Sequence, residues 1–408
     1  MNFTESQHYY QRAAVIPGRS STRSKSPGRF FDVGAGPMYA LRGEGCRLID
    51  VDSNVYIDTL SSLGAISLGY GEVDATQELL DGQIYSLPSF LEPIAAELVL
   101  AHVTPWASHV RFVKTGSEAT HAAYRIARRA TGRKMVLVAS NAYHGWHEWC
   151  SFDGEARVSE SGTAARYAYG VDWDRVGPEY FAWDDVAAIF VEPARWQNAD
   201  PNGWLAKTRV LCDRIGALLV FDEMIYGGRW ALGGASQYYS VTPDLACFGK
   251  ALGNGAPIAL VAGRDALAEH GELASGTYSG DAAALAALCA TVRTYTNAPV
   301  IETLWARGRQ LRRGLKEAVV VSGVAARVEG MPVHLRLTFE ADVVGSQGWG
   351  GGWGNDRVHG RMFAAAMARR GVLWHPDCVN VNYAMVEADI DQVVEAAAAS
   401  LKETDDRS

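Results

Sequence analysis

The feature that most constrains the fold is a series of short apolar segments, each closed by a turn and separated by helical patterns. Residues 135–139, 187–191, 217–221, 245–248 and 258–262 are apolar throughout rather than alternating, and 109–113 is a further short β run. A strand that is apolar on both faces must be covered on both. Helical stretches at 117–130 and 204–215 supply covers. The pattern predicts an α/β protein with a largely parallel sheet. Before it lie β-like segments between Tyr39 and Leu60, with a turn at Asp52-Ser53-Asn54, and a helix over 90–102 stopped by Thr104-Pro105. After Asp281 the chain reads as helical through Val321, broken near Pro299. It then gives strands at 325–328 and 333–339 and helices at 356–370 and 388–401. We expect three divisions: 1–60 as an N-terminal arm with part of a small α+β domain, 61–295 as a large domain, and 296–408 as the rest of the small one.

The chain has 408 residues, enough to bury a large core without staples. Its 38 basic and 46 acidic side chains leave a net charge of −8 with no basic run, which argues against nucleic acid or an anionic membrane as partner. Six cysteines, at 46, 150, 212, 247, 289 and 378, form no C-x-x-C pair and read as buried thiols. No apolar stretch nears the ~18 residues of a membrane span, and the first residues lack a basic start followed by an apolar core. The expectation is a cytoplasmic protein. The polar run 18–28 reads by itself as a mobile arm. The glycine-rich island 347–354, with Trp349 and Trp353, is either a surface loop with packed tryptophans or a lid over an apolar substrate.

Four signals carry chemistry. Thr115-Gly116-Ser117 stands where a strand gives way to a helix, so its amides could cradle an anion, or Ser117 could simply cap the helix. Asn141-Ala142-Tyr143-His144-Gly145 follows another strand end and offers an aromatic face for a flat ligand. His144, His147 and Cys150 have metal-like spacing but no further ligand cluster nearby, so no metal is expected. Asp222 directly follows a buried strand, where it either meets a ligand at the carboxyl end of the sheet or caps the next turn. Lys250 sits between an apolar run and a glycine-rich turn. Ala251 in the Ser/Thr position excludes a Walker loop, and the apolar setting suits an amine nucleophile as well as it suits a surface lysine. A phosphate cradle, a stacking aromatic, a buried carboxylate and a lysine, in that order, match the needs of pyridoxal 5'-phosphate.

The residues then show a resemblance over roughly 15–400. Arg111 to Thr120 resembles the phosphate-cup motif of fold-type I, class III pyridoxal-phosphate aminotransferases, especially their glutamate-1-semialdehyde aminomutase-like branch. Tyr143-His144-Gly145, Val191-Glu192-Pro193, Leu219 to Ile225, Ala231 to Ala235 and Val241 to Lys250 are similar to further segments of that family. The resemblance implies a large domain with a mostly parallel seven-stranded sheet, a smaller α+β domain, and a homodimer with shared active sites. It implies Lys250 as the Schiff-base lysine and Asp222 as the partner of the pyridine nitrogen. Thr115, Gly116, Ser117, Tyr143, His144, Glu192, Met224 and Ile225 would surround the cofactor, and Gly276 and Thr277 would reach the neighbouring subunit's phosphate. Arg23, then Lys25, are the arm's candidates for a substrate carboxylate. Asn380 stands where aminomutase-type sequences carry a glutamate, and Asp281 stands where the family usually has asparagine. A neutral Asn380 favours an aminotransferase acting on small-molecule donors and acceptors by a ping-pong route. An aminomutase, racemase or decarboxylase acting on a small amino acid is the alternative.

Overall fold

The computed structural model describes residues 1–73, 83–140, 142–154, 156–193, 200, 203–340, 358–376 and 378–405. Asn141 and the glycine-tryptophan island 347–354 lie outside them. The described chain divides into two compact units. A central unit runs Val73–Ile301, and a terminal unit combines Met1–Glu72 with the described chain from Glu302 onward.

The central unit is built on seven strands: β1 (His109–Val113), β2 (Met135–Ala139), β3 (Ala164–Tyr167), β4 (Val186–Val191), β5 (Leu218–Asp222), β6 (Leu245–Phe248) and β7 (Ala259–Gly263). They lie in the order β1-β7-β6-β5-β4-β2-β3. The five from β6 to β3 are mutually parallel, whereas β7 runs antiparallel to both β1 and β6. Strand β3 is absent from the apolar pattern because its residues, Ala-Ala-Arg-Tyr, form a short edge strand at the end of the sheet.

Successive strand residues divide between two cores, which is the physical meaning of the continuous apolar runs. Leu219 and Phe221 of β5 join a cluster with the helices Leu91–Leu98, Trp204–Ile215 and Ala282–Asn297. Val220 between them joins a cluster with Ala119, Ala123 and Ile126 of the helix Gly116–Thr131. At ~25 cal/mol per Å² of apolar surface buried, these two layers supply most of the unit's stabilisation.

In the terminal unit the strands Ala40–Glu44, Arg47–Asp50 and Val55–Asp58 pair antiparallel, and Val372–Leu373 adds in parallel to the last. The strands Ala326–Met331 and His334–Phe339 form a separate hairpin. The N-terminal segment departs from the expected mobile arm. A helix, Thr4–Arg12, has its first amides held by Asp52, whose carboxylate accepts from Glu5 at 2.7 Å and Ser6 at 2.9 Å. The polar run beyond it folds into short turns because its cations find partners: Arg19 donates to the Tyr10 carbonyl, and Lys25 Nζ donates to Ser62 Oγ at 2.9 Å.

That last contact touches the most strained backbone in the unit. Ser61, Ser62, Leu63 and Gly64 have φ of 51°, 51°, 60° and 83°, a left-handed turn of which three residues are not glycine. Each such residue costs about 1–2 kcal/mol. No helix among the described residues is long and apolar enough to cross a membrane.

Candidate active site

The chemistry-bearing residues of the central unit cluster where strands end and loops begin. Beyond β1, Thr115 caps the helix Gly116–Thr131. Its Oγ1 accepts from the Glu118 amide at 3.2 Å, while Glu118 Oε2 accepts from the amides of Lys114 and Thr115 at 2.8 Å each. Thr115 rather than Ser117 is therefore the cap, which leaves the Ser117 hydroxyl outside that arrangement. Gly145 passes directly over Ser117. It has φ of 106°, and a Cβ there would stand 2.7 Å from Ser117 Oγ, so only glycine permits the approach.

Asp222 ends β5 and is 3% exposed. Its Oδ1 accepts from the Met224 amide at 3.2 Å, and its Oδ2 lies 2.9 Å from His144 Nδ1. His144 is itself buried, with Phe190 edge-on at 5.7 Å and its backbone carbonyl accepting from Thr120 Oγ1. Its Nε2 is buried without a hydrogen-bond partner. The neighbouring Tyr143 remains 48% exposed, and its amide donates to the buried Glu192 carboxylate at 3.1 Å. Burial raises the Tyr143 phenol pKa, helped by Cys150 and Asp222.

Met224 brings three motifs together. A Cβ on Gly116 would stand 2.9 Å from the Met224 sulfur, and a Cβ on Gly249 would stand equally close. The thioether thus wedges between the loop that opens the helix and the loop that carries Lys250. Ile225 beside it is partly buried. Lys250 opens the turn Lys250–Gly253 with φ of 45°, a left-handed conformation that persists where surroundings over-determine it.

Glu223, next to Asp222, is wholly buried and accepts from the amides of Ala235 at 2.9 Å and Ser236 at 2.8 Å. Burial pushes its pKa up to about 7 despite those bonds. The sequence analysis did not single out Glu223. The glycine pair 233–234 downstream was the available signal, since a Cβ on Gly234 would collide with the carboxylate.

Gly276 and Thr277 stand on the exposed surface, beside a cavity of about 530 Å³ shared with residues 84–93. Asp281 has a local explanation. It caps the helix Ala282–Asn297 through the Ala284 amide at 2.9 Å and pairs with Lys114 Nζ at 3.4 Å. In the H-x-x-H-x-x-C segment, His144 is committed to Asp222, while Cys150 Sγ donates to the carbonyls of His144 and His147. Among the described residues no group of three potential ligands could hold a metal.

The remaining candidates belong to the terminal unit. Arg23 is exposed on the turn Arg23–Lys25. Lys25 is exposed as a whole, its ammonium donates to Ser62 Oγ, and loss of solvent lowers its pKa against the pull of Asp58. Asn380 is 1% exposed, and its amide is used internally: Nδ2 donates to the Leu60 carbonyl at 3.0 Å, and Oδ1 accepts from His334 Nδ1 at 2.6 Å. The expectation that Asn380 touches substrate therefore meets a side chain already engaged at both ends. Asp58, His334 and the Ser61–Gly64 turn were not singled out from the sequence, since their partners lie up to 320 positions away.

With this geometry in view, the family pattern described as aminotransferase class-III matches residues 30–153 and 179–385. The chain belongs to the class-III aminotransferase family. Across 98% of its length it is 31% identical to the glutamate-1-semialdehyde 2,1-aminomutase of Desulforapulum autotrophicum, covering 98% of that protein. The FumI protein of Sphingopyxis sp. MTA144, solved in its PLP internal aldimine form, superposes with a TM-score of 0.87 at 29% identity, over 98% of this chain and 96% of FumI. A glutamate-1-semialdehyde aminomutase from Pseudomonas aeruginosa PAO1 gives a TM-score of 0.81 over 98% and 94% of the two chains; at 18% identity it speaks for the fold alone. In this class-III aminotransferase the motifs singled out from the sequence stand at the β1, β2, β4, β5 and β6 strand ends, where open α/β sheets leave room for a ligand.

Proposed function

We propose that the protein is a pyridoxal-phosphate-dependent aminotransferase that moves an amino group from a donor to a keto or aldehyde acceptor in two half-reactions. The observation that carries this reading is the convergence on Met224 of the helix-opening loop at Gly116, the buried Asp222 and the Lys250 turn. The chemistry of these residues fits the cofactor: a glycine-lined helix start for phosphate, a buried carboxylate for a ring nitrogen, and a lysine for an aldehyde. When bound, pyridoxal phosphate supplies an aldehyde that condenses with amines and a ring that withdraws electrons from the substrate carbon.

The chain's residues then take the following parts. Lys250 Nζ would hold the cofactor through its aldehyde and, as a free amine, would move a proton at the substrate carbon. Asp222, oriented by His144, holds a proton at the ring nitrogen. Tyr143, its amide held by Glu192, would offer an aromatic face to the ring, and Met224 or Ile225 would meet the other face. Thr115, Gly116 and Ser117 hold the phosphate at the positive end of a helix. Gly276 and Thr277 add to the phosphate site of a second copy. Arg23 and Lys25 face the substrate's acid group.

Exposed apolar side chains beside Thr277, namely Leu87 at 77% in the same cavity wall and the adjacent Tyr278 at 62%, support a homodimer. Mixing Lys250→Ala with Thr277→Pro subunits should then restore activity in heterodimers, where one site keeps both wild-type residues. Absence of rescue after verified subunit exchange would mean that each site is built within one chain.

The reaction type is tested by adding an amino donor alone to the cofactor-loaded protein. We expect stoichiometric bleaching of the visible absorbance and its return on adding an acceptor, with donor nitrogen appearing on a different carbon skeleton. The aminomutase reading is favoured by the name of the Desulforapulum relative. It predicts instead that labelled nitrogen migrates within one molecule, without a free keto product.

A further inference from the structure

Glu223 is a wholly buried acid to which the cofactor reading gives no part. Its polar neighbours are the amides of Ala235 and Ser236, the Ser236 side chain and the Asp222 carboxylate, and among the described residues no cation faces it. An acid buried without a counter-charge is costly to keep.

Every polar group of Glu223 ties down a different strand of chain. Its carboxylate oxygens take the Ala235 and Ser236 amides at 2.9 and 2.8 Å. Its carbonyl accepts from the amides of Tyr226 at 3.2 Å and Gly227 at 2.8 Å. Its own amide donates to the Cys247 carbonyl of β6 at 2.9 Å, three residues before Lys250. The loop 224–236 is thus closed at both limbs on one side chain and its backbone.

That loop presses on the chain on both sides of Lys250. Before it, the Met224 sulfur would meet a Cβ on Gly249 at 2.9 Å, and a Cβ on Gly227 would stand 2.5 Å from the Phe248 ring. After it, a Cβ on Gly228 would stand 3.2 Å from the Ala251 methyl. Tyr295, on the helix Ala282–Asn297, donates its hydroxyl to the Gly228 carbonyl at 2.5 Å and holds the loop from behind. Lys250 between these contacts has φ of 45°. Such a conformation costs about 1–2 kcal/mol and persists only where its surroundings over-determine it.

We propose that Glu223 is a positioning residue for Lys250: by closing the loop 224–236 it holds the left-handed turn that aims the lysine amine. Resting on the aminotransferase reading, this separates two tasks of neighbouring acids. Asp222 serves the ring nitrogen, and Glu223 serves the amine. Without Glu223 the loop can lift from Gly249 and Ala251, and Lys250 relaxes toward ordinary backbone.

The test compares two cofactor forms on the full chain stripped of cofactor. Pyridoxal phosphate needs the lysine amine, whereas pyridoxamine phosphate has no aldehyde and does not. Borohydride trapping gives the rate at which Lys250 becomes linked, and calorimetry gives the affinity for pyridoxamine phosphate. Glu223→Ala should slow the link by about tenfold or more, since misplacing a reacting group by ~1 Å costs up to ~10²-fold. It should lower kcat by about as much while KM and the affinity for pyridoxamine phosphate stay within about twofold. Glu223→Gln keeps one of the two acceptors and should fall between alanine and wild type. Tyr295→Phe, which loosens the same loop from the other side, should slow the link by less. Leu211→Ala, buried on the helix Trp204–Ile215 away from the loop, should lower stability and leave the linking rate unchanged. The proposal is overturned if Glu223→Ala links at the wild-type rate, if both cofactor forms lose affinity alike, or if Leu211→Ala slows the link as much. Should Glu223→Ala not fold, wild-type rates in both Glu223→Gln and Tyr295→Phe overturn it. A wild-type protein that forms no link at Lys250 would instead bring down the aminotransferase reading and this inference with it.

Discussion

The central and terminal units each assemble a polar cluster, and they do so in opposite ways. In the central unit, each functional side chain stands at a place the local sequence dictates: a strand end, a helix cap or a glycine turn. Asp222 closes a strand behind the buried Leu219, Val220 and Phe221, and Thr115 caps the helix it precedes. In the terminal unit, Lys25, Asp58, Ser62, His334 and Asn380 come from distant segments and meet around a strained turn. The first arrangement depends on periodicity and termini, which short motifs specify. The second depends on tertiary packing that over-determines an unfavourable backbone.

The largest effect should come from the central unit. Replacing Lys250 with alanine removes the amine that binds the aldehyde and moves the proton. Multiple turnover should fall by about 10³-fold or more, measured in steady state. Borohydride should attach the cofactor to Lys250 in the wild type, and label on a different lysine would sink the assignment.

A smaller effect, still in the central unit, concerns pH. The folded pKa of Glu223, about 7, lies above its ordinary 4.5 because of burial. Between those values the folded protein holds a proton that the unfolded chain has released. Stability should therefore fall as pH rises through that window, by up to about 3 kcal/mol from this group. Urea denaturation at several pH values would measure it. Glu223→Gln should flatten this part of the slope, and an unchanged slope would mean that the two amide bonds outweigh burial. Asp58 is also buried with a raised pKa, so the equivalent Asp58→Asn comparison asks whether the terminal unit shares the trend.

Next in size is the contrast between Asn380 and Ser117. Asn380→Ala removes two buried hydrogen bonds, one to the Leu60 carbonyl, which keeps the Gly64 amide at 3.1 Å, and one from His334 Nδ1, and should cost about 2 kcal/mol of stability. Ser117→Ala removes a hydroxyl outside the helix cap and should change stability by less than about 0.5 kcal/mol while weakening cofactor retention. Equal destabilisation by both would erase the distinction between a packed clamp and a ligand cradle.

This contrast also explains what could be read from the sequence. Five apolar runs and the short β run 109–113 yielded six of the seven central strands, because two-sided burial leaves a one-dimensional trace. Strand β3 left none, being a four-residue edge strand. Lys250, Asp222 and the Thr115–Ser117 loop were legible because strand ends and helix starts fix where a side chain can go. The N-terminal turns were not, since a polar run reads as mobile until its partners Tyr10, Asp52 and Ser62 are known. Asn380 was noticed for its missing charge, but its burial against His334 and Leu60 depends on contacts across 46 and 320 positions.

The smallest predicted effect is also the most direct probe of the terminal unit's strain. In an ordinary helix alanine outranks glycine: at the exposed Arg129 of the helix Gly116–Thr131, the alanine variant should be more stable than the glycine variant by about 1 kcal/mol. At Leu63, with φ of 60°, the order should reverse. Both substitutions remove the same leucine packing, so their difference isolates the backbone. Alanine still pays the left-handed penalty of about 1–2 kcal/mol, whereas glycine escapes it and loses about 0.5–1 kcal/mol to the freedom of its unfolded chain. Leu63→Gly should thus be more stable than Leu63→Ala by roughly 0.5 kcal/mol, resolvable by paired urea titrations. If alanine is the more stable at position 63, the turn is not left-handed in solution, and the clamp formed by Asp58 on the Leu60 and Ser61 amides and by Asn380 on the Leu60 carbonyl has nothing to hold.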